Sequence, residues 1–258
     1  MADWLREGAS YQDIRNSFQW RIPECYNIAH DVCDRHAEGD RTALINVADD
    51  GSVTHYSFGQ IQKLANRLAN TFTHLGAGPG DRVMILLGQH PYTAISHVAC
   101  WKAGMISMPT SILFGVDALA YRLSDSGAIL AVTDRENLPV LQKAQEKAGT
   151  LHHILVVDGP APGATALEKL MEQASDSFTN VATRASDPAF ISYTSGTTGW
   201  PKGALHAHQT MLGHAPATRY IFDFLPYDGD VMWSPADWSW LAGMMDVQRW
   251  LRKSEQPG

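Results

Sequence analysis

Residues 193–208 read YTSGTTGWPKGALHAH, with three glycines, a proline, a lysine and four serine or threonine hydroxyls in a chain that is otherwise 45% hydrophobic. Gly196, Gly199 and Gly203 permit turns closed to other residues and let main-chain N–H groups approach a ligand, while Pro201 stiffens the segment. Thr194, Ser195, Thr197 and Thr198 supply hydroxyls and Lys202 a point charge. Donors and one cation in a wrapping loop suit a polyphosphate. The segment is not a Walker A loop, because Pro201 precedes Lys202 and Gly203 follows it. A solvated Gly/Ser/Thr turn is the alternative that composition alone leaves open.

The stretch just before it, PAFISY at 188–193, reads as a buried strand, and the segment after Leu205 can form a helix. The polar loop is therefore expected between strand and helix, where ligands collect in open α/β sheets. Farther upstream the same alternation recurs. After Ser57, a helix N-cap, Phe58, Ile61, Leu64, Ala65, Leu68, Ala69, Phe72 and Leu75 form an amphipathic stripe that Gly76 ends. RVMILL at 82–87 is a buried strand, and Pro91 opens a helix that ends near Gly104. Residues 128–132 and 154–157 read as strands, and 116–124, 138–148 and 166–174 as helices. Together they predict an α/β fold, a mostly parallel sheet flanked by helices. DGPAPGATA at 158–166 reads as a surface loop and not as a domain boundary. No internal repeat is present.

The chain of 258 residues is long enough to bury a substantial core. Its formal charge of -7 and lack of a basic cluster argue against a nucleic-acid or membrane-surface partner. The three cysteines, Cys25, Cys33 and Cys100, are odd in number and lack CxxC spacing, so a reducing cytoplasmic setting is expected and no disulfide framework. The first ten residues have no apolar h-region. The uncharged run from Arg82 to Lys102 is interrupted by Gln89, His90, Pro91 and His97, and reads as strand, turn and helix with no membrane span.

The ordered string SGTTGxPKG at 195–203 resembles the signature of the adenylate-forming, AMP-binding superfamily at all eight specified positions. That superfamily includes acyl-CoA synthetases, peptide-synthetase adenylation domains and luciferases. HYSFGQIQKLANRLANTFTHLG at 55–76 and WKAGMISMPTS at 101–111 resemble two earlier family motifs, both expected to be packing elements. WSPADWSWLAGM at 233–244 resembles the fourth motif as it occurs in medium-chain fatty acyl-CoA synthetases, and SFQWRIPECYNIAHDVCDRHA at 17–37 has the look of the acetyl-CoA and medium-chain branch.

The resemblance implies an N-terminal domain of the adenylate-forming fold over residues 1–258. It also implies a carboxylic, fatty acid as substrate, Mg-ATP, and coenzyme A as co-substrate. The acid attacks the α-phosphate to give an acyl-adenylate, and the coenzyme A thiol then displaces AMP. By the same resemblance Thr194, Ser195, Gly196, Thr197, Thr198, Gly199 and Lys202 hold the ATP phosphates. His208, Asp237 and Trp238 stand near the adenylate and acyl site, with core packing the competing role for Trp238 and Trp240. His206 and His208 make an HxH pair, but no carboxylate or cysteine nearby completes a metal site, so none is assigned.

Family members run to about twice this length, beyond the usual size of one domain. The adenine-contacting aromatic-Gly-x-Thr-Glu stretch, the ribose-binding Asp, the hinge and the C-terminal catalytic Lys of the family are not found. QRWLRKSEQPG at 248–258 turns polar where the family pattern stays apolar. The expectation is a truncated or frameshifted product or a fragment, inactive by itself, lacking the mobile C-terminal domain and prone to self-association through an uncovered apolar face. A non-catalytic nucleotide-binding remnant and a different adenylate former, such as an amino-acid-activating domain, are the alternatives.

Overall fold

The computed structural model describes residues 10–194, 199–221, 231–241 and 243–244. Its first elements are two short helices, α1 (Tyr11–Ser17) and α2 (Ile28–Val32), then strands β1 (Thr42–Val47) and β2 (Val53–Ser57). The two strands form a separate antiparallel pair in which Val47 faces Val53 and Ile45 faces His55. No alternation marks β1 in the sequence, because the pair is largely solvent-exposed and not part of the main sheet. Helix α3 (Phe58–His74) follows directly. The Ser57 hydroxyl accepts the Gln60 amide, and the Gln60 side chain accepts the Ser57 amide in return. This reciprocal cap satisfies two backbone donors that the first turn cannot pair internally.

From Arg82 onward strands and helices alternate as expected. They are β3 (Arg82–Leu86), α4 (Pro91–Lys102), β4 (Ile106–Pro109), α5 (Val116–Ser126), β5 (Leu130–Thr133), α6 (Leu138–Ala148), β6 (His153–Val156), β7 (Thr165–Ala166) and α7 (Leu167–Gln173). The remainder comprises β8 (Pro188–Thr194), β9 (Lys202–Ala207) and α8 (Thr210–Ile221). The seven-stranded sheet has the order β7-β6-β5-β3-β4-β8-β9, parallel throughout except that β9 runs antiparallel to β8. The 158–166 loop stays with this sheet, since its last two residues pair with β6 as β7.

Both faces of the sheet are buried, and the period of two along β3 divides them. Val83 and Ile85 join α2, α3, α4 and α7 in one core, while Met84 and Leu86 join α5 and α6 in the other. Trp101 is fully buried in the first core and donates its indole N–H to the Ala189 carbonyl of β8 at 3.0 Å. Next to it Lys102, also buried, pairs with Asp34, whose carboxylate further accepts Gln62 at 2.9 Å and Asn180 at 2.7 Å. The extra donors satisfy the lone pairs that one ammonium leaves over, which is what makes a buried ion pair tolerable. The WKAGMISMPTS stretch is thus packing, as expected, from Trp101 to Thr110.

One local expectation is corrected. The polar loop does not lead into a helix: β9 returns alongside β8 over its whole length, Thr194 opposite Lys202 and Pro188 opposite Ala207, and α8 begins only at Thr210. Pairing with the exposed side of β8 outweighs the weak helical tendency of KGALHA, which carries a glycine and a histidine.

Candidate functional site

The parallel strands β3, β4 and β8 end at one edge of the sheet, and three segments meet there: the turn after β3, the turn after β4 and the stems of the polar loop. Thr194 ends β8 and Lys202 begins β9 as direct register partners, so the loop they bracket has its two ends a strand spacing apart, about 5 Å. Both side chains are exposed. Ser195, Gly196, Thr197 and Thr198 lie outside the described residues. Gly199 has φ +102°, a backbone state that side chains resist.

Helix α5 holds both stems. Tyr121 donates its hydroxyl to the Pro201 carbonyl at 2.9 Å and stacks on Trp200 with ring centroids 5.0 Å apart. One turn further, Tyr193 donates to Asp125 at 2.7 Å, and the Arg122 guanidinium lies 3.8 Å from the Phe114 ring centre and 5.2 Å from that of Tyr193. Burial, and then the Asp125 carboxylate, push the Tyr193 phenol upward, so it stays protonated and remains a donor.

The two histidines of β9 and its turn face different surroundings. His206 stacks on Phe190 with centroids 4.5 Å apart, and burial followed by the nearby His214 lowers its pKa. His208 is fully buried, and its Nδ1 accepts the Ile28 amide at the start of α2 at 3.2 Å. Burial pushes its pKa down to about 4, so the ring is neutral with its proton on Nε2, which has no partner among the described residues. Among the described residues no group of three or more His, Cys, Asp or Glu is placed to hold a metal ion.

A strap, residues 231–241, lies over the ends of β3 and β4. The Gln89 amide donates to two of its carbonyls, Ser234 at 3.0 Å and Ala236 at 2.7 Å. Ser111 donates to Asp237 Oδ2 at 3.0 Å, and Asp237 Oδ1 accepts the Ser239 amide at 2.9 Å. Both Asp237 oxygens are therefore engaged. Trp238 is half-buried and its indole N–H is enclosed without an acceptor among the described residues, whereas Trp240 is exposed. A Cβ on Gly243 would lie 2.5 Å from the Asp237 carbonyl, so the strap folds back on itself only with glycine there. Met244 and Leu241 then anchor it in the first core.

The strap and the loop adjoin. Ser107 of β4 pairs with Phe190 of β8 in parallel, so the turn that carries Ser111 and the loop stem at Thr194 both leave the same end of the sheet. The expected site residues Thr194, Gly199, Lys202, Asp237 and Trp238 thus fall at one edge, with His208 at the far end of β9 against α2. Sequence reasoning missed Gln89, Ser111 and Tyr121. Gln89 had one signal, a polar residue breaking the apolar run after β3; Tyr121 had none.

A profile of the AMP-binding enzyme family matches residues 32–254. Acetyl-coenzyme A synthetase of Escherichia coli is 32% identical over 274 aligned residues, which cover 93% of this chain and 41% of that protein. The crystal structure of a Brucella canis acyl-CoA synthetase superposes with a TM-score of 0.82 at 22% identity, covering 93% of this chain and 46% of the other. An anthranilate CoA ligase crystallised with anthranoyl-AMP superposes with a TM-score of 0.70 at 26% identity, over 76% of this chain and 37% of the other. The chain therefore spans less than half the length of these relatives.

Proposed function

Because the chain belongs to the AMP-binding enzyme family, we propose that it serves ATP-dependent activation of a carboxylic acid, through an acyl-adenylate, to an acyl-CoA thioester. The observation that carries this reading is the β8–β9 hairpin, which brings Thr194 and Lys202 together as register partners at the end of the sheet from which the turns carrying Gln89 and Ser111 also leave. The Lys202 ammonium and the Thr194 hydroxyl face outward where a triphosphate tail can meet them, and the loop between supplies further hydroxyl and amide donors in this proposal. Their part is to gather charge that grows on the leaving pyrophosphate, a task for fixed donors and a cation. Asp237 and Trp238 belong to the adenylate and acyl side of the proposed site, whereas His208 is buried at the far end of β9 against α2.

Magnesium would travel with ATP and take phosphate oxygens as ligands, as this ion commonly does. At the sheet edge the carboxylates of Asp237 and Asp125 are already hydrogen-bonded, so no residue here is assigned to the ion. The names of the relatives, an acetyl-coenzyme A synthetase, an acyl-CoA synthetase and an anthranilate CoA ligase, support an acid–thiol ligase with a carboxylic acid as substrate and coenzyme A as the acceptor, and a fatty acid is the substrate proposed. Three unpaired cysteines fit a reducing, cytoplasmic setting, and no helix among the described residues is long and apolar enough to cross a membrane. Self-association is part of the same proposal, since among the described residues β9 has no further strand beside it and its Leu205 is exposed.

Isothermal titration of the chain with ATP tests the nucleotide half of this reading. Binding is expected, weakened about tenfold by Lys202→Ala through the loss of a charge-assisted contact. Carboxylate-dependent release of pyrophosphate tests the chemistry. Absence of ATP binding, or binding indifferent to Lys202, overturns the phosphate-site assignment.

A further inference from the structure

Gly203 stands at a strand position, and unlike Gly199 it has no positive φ that would demand glycine. What it lacks is room, because a Cβ there would lie 3.2 Å from the Tyr193 ring and 3.1 Å from an Ile191 methyl. Tyr193 is its register partner, and the ring lies against the bare Gly203 backbone and reaches toward α5. There its hydroxyl donates to Asp125 at 2.7 Å, the Arg122 guanidinium sits 5.2 Å from the ring centre, and Tyr121 meets it edge-on at 6.4 Å. Alternation along the strands places the neighbours. Ile191 and Tyr193 pack in the core under α5 and α6, while Phe190 belongs to the other core and stacks on His206. Thr194 and Lys202, one step beyond the Tyr193–Gly203 pair, therefore point to the Phe190 side, the core in which Leu241 and Met244 anchor the strap.

We propose that Tyr193 is a positioning residue: wedged between Gly203 and α5, its ring fixes the hairpin end so that Lys202 stands on the strap side of the sheet to meet a polyphosphate. The inference rests on the phosphate-holding reading given above. It also reassigns Gly203, whose missing side chain makes room for a ring and not for a ligand. The cation of the loop then owes its direction to a side chain on the opposite face of the sheet.

The test is a double-mutant cycle, read by isothermal titration of the full chain with tripolyphosphate, which carries phosphates without a nucleoside, and by thermal unfolding in parallel. Gly203→Ala is expected to weaken binding about tenfold in the unaltered background and in Tyr193→Phe, which keeps the ring, but no more than about twofold in Tyr193→Leu. Any cost from the Ile191 methyl is common to every background and cancels in the comparison. Tyr193→Phe and Asp125→Ala break one bond from its two ends, and each should weaken binding a few-fold with little change in unfolding temperature. Loss of a negative charge would by itself strengthen anion binding, so weakening in Asp125→Ala reports position. If the leucine variants do not fold, this pair decides, and unweakened affinity in either overturns the proposal. An equal cost of Gly203→Ala in all folded backgrounds assigns the glycine to ligand approach and overturns the role of Tyr193 alone. Failure of the unaltered chain to bind tripolyphosphate or ATP overturns the phosphate reading, and this inference with it.

Discussion

The β3–β6 scaffold and the edge formed by the β8–β9 hairpin and the strap are held by different forces. In the scaffold, strand residues on both faces are buried against helices, and Trp101 and Phe72 are fully enclosed. At the edge, Trp200, Leu205, Trp233 and Trp240 are exposed, and position is kept by individual hydrogen bonds from Gln89, Ser111 and Tyr121. Burial is non-directional and sums over many contacts, whereas a single hydrogen bond fixes direction for about 1 kcal/mol. The molecule therefore stores stability in one region and geometry in the other.

The sharpest way to break this division is inside the scaffold. Trp101→Ala removes the largest buried side chain and its bond to Ala189, and should lower stability by about 4 kcal/mol in urea unfolding. A loss below about 1 kcal/mol would put the weight of the fold elsewhere.

The junction of the two regions is probed by acid. His208 joins the turn after β9 to α2, and burial lowers its pKa from an ordinary 6.5 to about 4. A depressed folded value favours the neutral ring, so this contribution is whole above pH 6.5 and is lost as pH falls through 4. His97, fully buried and lowered to about 3, continues the trend below. Up to about 3 kcal/mol should disappear over that range at His208, and His208→Gln should flatten the slope of stability against pH. An unaltered slope in that variant would sink the assignment.

The smallest effect belongs to the edge. Tyr121→Phe loses only the bond to the Pro201 carbonyl, so stability should fall by about 1 kcal/mol or less, while ATP affinity, if the loop holds phosphate, weakens by a few-fold. A large stability loss with unchanged ATP affinity would reverse the contrast between the two regions.

This same division decides how much was legible beforehand. RVMILL and the proline after it specify β3 and α4, because burial on both faces demands a continuous apolar run and Pro favours a first turn. Ser57 and Gln60 announce α3 through a local pair of bonds. The β1–β2 pair and β9 are half-exposed, so no hydrophobic period reports them. Thr194, Lys202 and Asp237 were singled out by motif resemblance, but their shared edge is a product of strand order. The Gln89 and Pro201 contacts end on main-chain carbonyls, which every residue carries, so nothing in the partner's identity could point to them.

The strand order also sets a sequence of events in time. β4 ends at Pro109 and its sheet neighbour β8 begins at Pro188, with β5, β6 and β7 made in between on the other side of β3. Closing so long a loop costs more entropy than joining β3 to β4 or β5 to β6, so local units fold early and the β4–β8 seam closes late. Until that seam closes, the loop stems on β8 and β9 are not held at the sheet end where Ser111 follows β4. Nucleotide binding during refolding should thus lag the recovery of helical signal, making the ligand a clock for the last step of assembly.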